Sequence, residues 1–112
     1  MLSKHNRLTK KKDFERIFQK GKGFQKDSLY LKIAKNNLKN SRFGFIVSKK
    51  YSKKATIRNK VKRKLRAFVQ AKLPQLKKGI DGVVVVVAIL TPRDLENLEE
   101  TINKLFLKAG LL

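Results

Sequence analysis

The residues most able to do chemistry sit in one run. Between Lys49 and Arg66, ten of eighteen residues are cationic: Lys49, Lys50, Lys53, Lys54, Arg58, Lys60, Lys62, Arg63, Lys64 and Arg66. No Asp or Glu falls between Asp27 and Asp81 to offset them. Arg offers a planar fork that grips phosphate oxygens in pairs, and Lys offers a compact point charge. Asn59, inside the run, can both donate and accept, so a base edge, a 2′-hydroxyl or a backbone group is within its chemistry. The chemistry to expect is therefore binding to a phosphate polymer. A plainer role for Asn59, helping to cap a helix begun near Thr56, stays open.

Residues for bond breaking are scarce. Metal-free nucleases need a His pair or its equivalent, and His5 is the one histidine. Metal-dependent nucleases need gathered carboxylates, whereas Asp13, Glu15, Asp27 and Asp81 are scattered along the chain. Asp94, Glu96, Glu99 and Glu100 do cluster, but their spacing matches no ligand set, and they read as a solvated helix face turned away from the phosphate polymer. There is no glycine-rich phosphate cradle and no cysteine. The expectation is no catalytic residue, and no metal or cofactor bound by the chain itself.

Composition agrees with a binding role. The 112 residues carry 29 Lys plus Arg against 8 Asp plus Glu, a net charge of +21. Self-repulsion of that size opposes compactness and favours an anionic polymer, with nucleic acid preferred over an anionic membrane surface. The opening stretch Met1-Leu2-Ser3-Lys4-His5 has no apolar signal region. The longest apolar run, Val83 to Leu90, has eight residues, far short of the roughly 20 a membrane-spanning helix needs. The expectation is one soluble, cytoplasmic RNA-binding domain over residues 1–112, without repeats, flexible linkers or an obligate protein partner.

The elements that must position the run follow from periodicity. Phe14, Ile17 and Phe18 predict a first helix over about Lys10 to Lys20, with Thr9 as N-cap and Gly21 just past its end. Ser28 to Ala34 alternates, with Leu29, Leu31 and Ile33 on one face and Tyr30, Lys32 and Ala34 on the other. After a polar turn over Asn36 to Ser41, Arg42 to Ser48 alternates again. Phe43, Phe45 and Val47 oppose Gly44, Ile46 and Ser48, and the two strands read as an antiparallel hairpin. Gly23 to Gln25 is a candidate third strand. A helix is predicted from about Thr56 to Leu73, stopped by Pro74, followed by a loop Gly79-Ile80-Asp81-Gly82. Val83 to Leu90 reads as a strand covered on both faces. Thr91, Pro92 and Asp94 supply a cap, an N1 proline and an N3 acid for a last helix, which starts there or near Asn97 and ends at Gly110. The class is α+β, a small sheet covered by helices.

On the central helix, Ile57, Val61, Leu65 and Phe68 form an apolar stripe. Arg58, Lys62 and Arg66 make one row, with Asn59 and Arg63 beside it. A charge run is usually a solvated face, but here the pairs 58–62, 62–66 and 60–64 are like-charged at i, i+4, each costing roughly 0.2–0.5 kcal/mol. Cations in the first turn oppose the helix dipole by a further ~0.3–1 kcal/mol each. A solubilising helix would mix signs, and a helix facing phosphates has no need to.

This run resembles the signature of the bacterial ribonuclease P protein subunit, R-N-x-x-K-R-x-x-R, with Arg58, Asn59, Lys62, Arg63 and Arg66 at its five positions. Phe43-Gly44-Phe45-Ile46-Val47-Ser48-Lys49-Lys50 is similar to the family's glycine-containing strand ending in Lys-Lys. Asn6-Arg7-Leu8 and Asp13-Phe14-Glu15-Arg16-Ile17-Phe18 are similar to its opening segment. Two positions depart from the common pattern. Tyr51-Ser52-Lys53-Lys54 stands where many members have a glycine, and Ala67 stands where an acid often follows the last Arg.

The resemblance implies the order α-β-β-β-α-β-α in a small mixed β-sheet, resembling domain 2 of ribosomal protein S5, with a parallel strand pair joined through the basic helix by a left-handed crossover. It also implies the activity, endonucleolytic removal of the 5′ leader from precursor tRNA, with hydrolysis performed by the RNA subunit and its Mg²⁺. The protein's part is then to bind that RNA through Lys49, Lys50, Lys53, Lys54, Arg58, Asn59, Lys60, Lys62, Arg63 and Arg66. It would hold the leader in a cleft of Phe14, Phe18, Tyr30 and Lys32, with Arg7 and Lys11 nearby. Phe14 and Phe18 at i, i+4 could equally be core. Two rival functions share the composition: a purely structural RNA binder, as in a ribosome, and a DNA-binding regulator. The second would want a helix-turn-helix pair, and here strand and loop flank the basic helix.

Overall fold

The computed structural model describes residues 2–112, so the stretch read as lacking a signal region begins one residue outside it. Helix α1 spans Lys11–Lys20. Strands β1 (Lys22–Lys26), β2 (Leu29–Lys35) and β3 (Arg42–Val47) follow, then helix α2 (Ala55–Lys72) and strand β4 (Ile80–Val86). Helices α3 (Pro92–Glu96) and α4 (Leu98–Lys108) close the chain. The order is that expected, with the third strand present and the last helix in two pieces. No helix among the described residues is long and apolar enough to cross a membrane.

The sheet order is β1-β2-β4-β3. Here the sequence reading needs correction, because β2 and β3 do not form a hairpin. β4 lies between them, antiparallel to β2 and parallel to β3. The physical reason is that β4 is apolar on both faces and belongs at the centre, with Ile80, Val83, Val84 and Val86 all buried. Burial of each such side chain contributes about 1.5–3 kcal/mol. The 36–41 turn, meant to close a hairpin, instead fastens to the start of β4. Asn36 Nδ2 donates to Asp81 Oδ1 at 2.9 Å, and Ser41 Oγ donates to the Lys77 carbonyl at 2.6 Å and accepts from Ile80 N at 3.1 Å.

β4 also begins three residues earlier than expected and ends at Val86 rather than Leu90. Asp81 and Gly82, read as loop residues, are strand residues for tertiary reasons. A Cβ on Gly82 would lie 2.9 Å from the Phe43 ring, so the ring occupies the space a side chain would need. Asp81 is fully buried and is bound by Arg16 and by Arg42, whose Nε and Nη2 reach it at 2.9 and 2.7 Å.

Smaller corrections concern helix ends. The N-cap of α1 is Lys10, not Thr9, and has no side-chain cap bond. Gly21 does end α1, but in extended backbone rather than a left-handed turn. A Cβ there would collide with the carbonyl oxygens of Ile17 and Ile33. α2 gives way at Leu73–Gln75 to one 3₁₀ turn containing Pro74. Thr91 and Asp94 form the expected reciprocal capping box, at 3.1 and 2.9 Å.

The alternation of β2 and β3 divides the sheet into two unlike faces. One carries Leu29, Leu31, Phe43, Val47, Val84 and Val86 and packs against α2 and α4. Phe106 of α4 stacks on Phe43 at 5.6 Å and meets Phe68 of α2 edge-on at 5.8 Å, joining three elements. The other face carries Tyr30, Lys32, Ala34, Arg42, Gly44, Ile46, Asp81, Val83 and Val85, and α1 crosses part of it.

Candidate nucleic-acid interface

α2 turns Val61, Leu65, Phe68 and Val69 into the core, and that choice aims the cations outward. Arg58, Lys62 and Arg66 are half-buried along the flank of the stripe, while Asn59, Lys60, Arg63 and Lys64 are exposed. Lys49, Lys50, Lys53 and Lys54 are exposed in the segment leading into the helix. None of the ten cations forms an ion pair among the described residues. The face is an uncompensated positive surface on a rigid support.

Arg58 has a second task that spacing alone does not reveal. Its Nη1 donates to the carbonyls of Ser52 and Lys53, both at 2.9 Å, and so fastens the leading segment to the first turn. That segment begins as a turn in which Tyr51 N and Ser52 N reach the Ser48 carbonyl and Lys50 N reaches Ser48 Oγ at 2.9 Å. The Lys50 ammonium sits 5.5 Å from the Tyr51 ring centroid. The helix N-cap is Lys54 and carries no side-chain cap. Asn59 lies in the second turn, exposed and without a side-chain hydrogen bond among the described residues, so it does not cap α2.

On the opposite face, α1 leaves a half-covered groove. Tyr30, Val85 and Ile46 are neighbours in register across β2, β4 and β3, and all three are half-buried. The Tyr30 hydroxyl lies over Gly23 of β1, where any side chain would collide with it. Phe14 is half-buried with its ring over Gly44; a Cβ there would come within 2.6 Å of the ring. Phe14 is thus a packed wall, whereas Phe18 is 40% exposed and stands free of the core. Lys32 Nζ donates to the Phe18 carbonyl at 2.6 Å, which ties β2 to the last turn of α1. Arg7 and Lys11 are exposed and form no hydrogen bond with this group among the described residues. Arg7 bridges to Phe43 at the β3 edge, and Lys11 is exposed beside Glu15 at 4.0 Å.

The sequence reading missed three contributors. Ile46 was legible as an outward residue of its strand but was passed over. Val85 sits in a run of valines with no alternation to mark it. The Asp81 cluster was invisible, because Arg16, Arg42 and Asp13 are far from it in sequence. Hydrogen bonding to Asp81 raises the pKa of Arg42 above its ordinary value, and Asp13 approaches the same guanidinium at 3.5 Å. This cluster anchors α1 to the sheet. Among the described residues no three His, Asp or Glu side chains gather as metal ligands would.

Comparison with known proteins follows the same lines. Residues 2–110 match a family model described as Ribonuclease P. A ribonuclease P protein component from Pseudanabaena sp. is 37% identical over 113 residues, spanning 100% of this chain and 97% of that one. The solved RNase P protein from Thermotoga maritima is 31% identical with a TM-score of 0.72, covering 92% and 93% of the two chains. That from Staphylococcus aureus has a TM-score of 0.84 at 23% identity, covering 96% and 98%, and speaks for the fold.

Proposed function

The chain belongs to the ribonuclease P protein family, and from that membership we propose that it holds the catalytic RNA with α2 and the 5′ leader of precursor tRNA with the groove beside α1. As a subunit of a tRNA-processing ribonucleoprotein it has an RNA partner. The observation that carries the reading is the surface of α2 and its leading segment, ten cations with no carboxylate paired to any of them among the described residues. Phosphates are the counter-ions such a face lacks.

In this reading Arg63, with Lys62 and Arg66 on the flank, grips backbone phosphates. Arg58 holds the Lys49–Lys54 segment in place so that its lysines meet the same strand. Asn59 supplies the one neutral donor and acceptor, suited to a 2′-hydroxyl or a base edge. The groove offers an aromatic platform of the kind single-stranded RNA stacks on, with Lys32 at its edge and Lys11 on the α1 side. Tyr30 and Phe18 are the stacking surfaces, Phe14, Ile46 and Val85 form the floor and wall, and Lys32 keeps α1 at a set distance from β2. The chain supplies position and charge. Hydrolysis belongs to the RNA subunit, with Mg²⁺ bound there.

The deciding experiment adds the purified chain to a bacterial ribonuclease P RNA with precursor tRNA at limiting Mg²⁺. The expected result is faster release of the 5′ leader. No gain would reject the function.

A further inference from the structure

A further basic groove lies beyond the two surfaces just described and adjoins the α2 face at Arg7. Its volume is about 720 Å³, and its two walls are the N-terminal segment and the β2–β3 turn, a size within the ~300–1,000 Å³ of ordinary ligand sites. Lys4, His5 and Arg7 stand on one wall, Lys39 and Asn40 on the other, and Arg42 lies at the base. Arg42 is already neutralised by Asp81 and Asp13. Lys4, Arg7 and Lys39 form no ion pair among the described residues.

The walls are built rather than loose. Asn6 Nδ2 donates to the Ser41 carbonyl at 2.8 Å, and Leu8 N donates to the Phe43 carbonyl at 3.0 Å, which seats the N-terminal segment. Leu2 beneath it is buried in the main core. Asn36 shapes the other wall, accepting from Leu38 N at 2.7 Å and donating to the Asn40 carbonyl at 3.0 Å. Like charges held on facing walls repel, and an anion between them removes the repulsion. The groove also neighbours α2 through Arg7. Arg7 lines a smaller cleft of about 210 Å³ at the β3 edge, together with Arg66.

We infer that this N-terminal groove is a further phosphate-binding site for the RNA subunit, and that the backbone held by α2 runs past Arg66 and Arg7 into it. The inference rests on the function proposed above. The RNA subunit is preferred to the leader because the groove joins the α2 face through Arg7 and Arg66, while Tyr30 and Phe18 lie across the sheet near β1 and β2.

The test is the salt dependence of binding to ribonuclease P RNA alone. Three proteins are compared with the unaltered chain: Lys4→Ala/Lys39→Ala in the groove, Arg63→Ala on α2, and Lys104→Ala/Lys108→Ala on α4 as an equal loss of charge elsewhere. Lys4 and Lys39 are exposed and make no side-chain hydrogen bond among the described residues, and matching thermal melts check that the fold is kept. The groove variant should lower the slope of log K against log salt by about 1.4–1.8, at roughly 0.7–0.9 per phosphate contact. The α4 variant should leave the slope unchanged. A wild-type slope in the groove variant, with Arg63→Ala behaving as expected, overturns the groove and leaves the function standing. A defect confined to leader-bearing precursor tRNA, with RNA-subunit binding intact, overturns the assignment to that subunit. An unaltered chain that neither binds the RNA nor speeds leader release overturns both.

Discussion

Arg58 and Arg63 share a motif, yet the structure gives them different work. Arg63 is exposed with nothing to hold but a ligand, so Arg63→Ala should weaken RNA binding and lower the salt slope by about 0.7–0.9, with no change in thermal stability. Arg58 also binds two carbonyls of the leading segment. Arg58→Ala should therefore lose more affinity than Arg63→Ala, and amide hydrogen exchange at residues 50–54 should quicken. Unchanged exchange there would leave Arg58 a phosphate contact only. Tyr30 is the residue on which the leader reading turns. Tyr30→Ala should reduce holoenzyme affinity for precursor tRNA by roughly 1–3 kcal/mol, the value of one stacked base, and leave mature tRNA unaffected. Equal losses on both substrates would remove Tyr30 from the leader site.

At the scale of elements, the placement of α1 governs the groove. Four attachments set it: Ile17 buried against Leu8 and Val83, the Asp81 cluster, the Phe14 ring over Gly44, and the Lys32 bond to the Phe18 carbonyl. Asp81 is fully buried between two guanidinium groups. Removing it leaves Arg16 without a carboxylate partner and Arg42 with Asp13 alone, so Asp81→Ala should cost about 3–5 kcal/mol in a denaturant titration. A loss below 1 kcal/mol would mean the cluster is replaceable by water. Gly44→Ala is the subtler change, since the new methyl group must displace the Phe14 ring. It should cost about 1–3 kcal/mol as overpacking and weaken leader binding, while binding to the RNA subunit through α2 stays intact.

The whole molecule carries +21 on 112 residues, with only five close ion pairs among the described residues. Long-range repulsion then outweighs surface pairing, and added salt should raise the melting temperature by screening it. The same salt should weaken RNA binding. A melting temperature that falls between low and moderate salt would mean that ion pairs dominate instead. The two charge populations are largely separate, meeting where Lys64 shares a cleft with Glu96 and Glu99. The Lys49–Arg66 cations lie on α2 and its leading segment, whereas Glu96, Glu99 and Glu100 are exposed at the α3–α4 junction, with Glu100 bound to Lys104 at 2.9 Å.

The sequence alone determined the class of partner, the basic helix and which of its faces is buried, and the order of the elements, because these depend on charge, period and local capping. The outward position of Tyr30 and Lys32 was equally legible, since alternation along one strand needs no partner strand. What only tertiary structure decided was pairing and burial between distant residues. Nothing local tells β4 to separate β2 from β3, or tells Asp81 and Gly82 that they stand in a strand. Asp81 is tolerated there because Arg16 and Arg42 arrive from other elements, and Gly82 is required because Phe43 takes its space. The same holds for the site. The cationic face could be read from i, i+4 spacing, whereas the tie from Arg58 to its leading segment and the packing of Phe14 over Gly44 depend on how the chain comes back on itself.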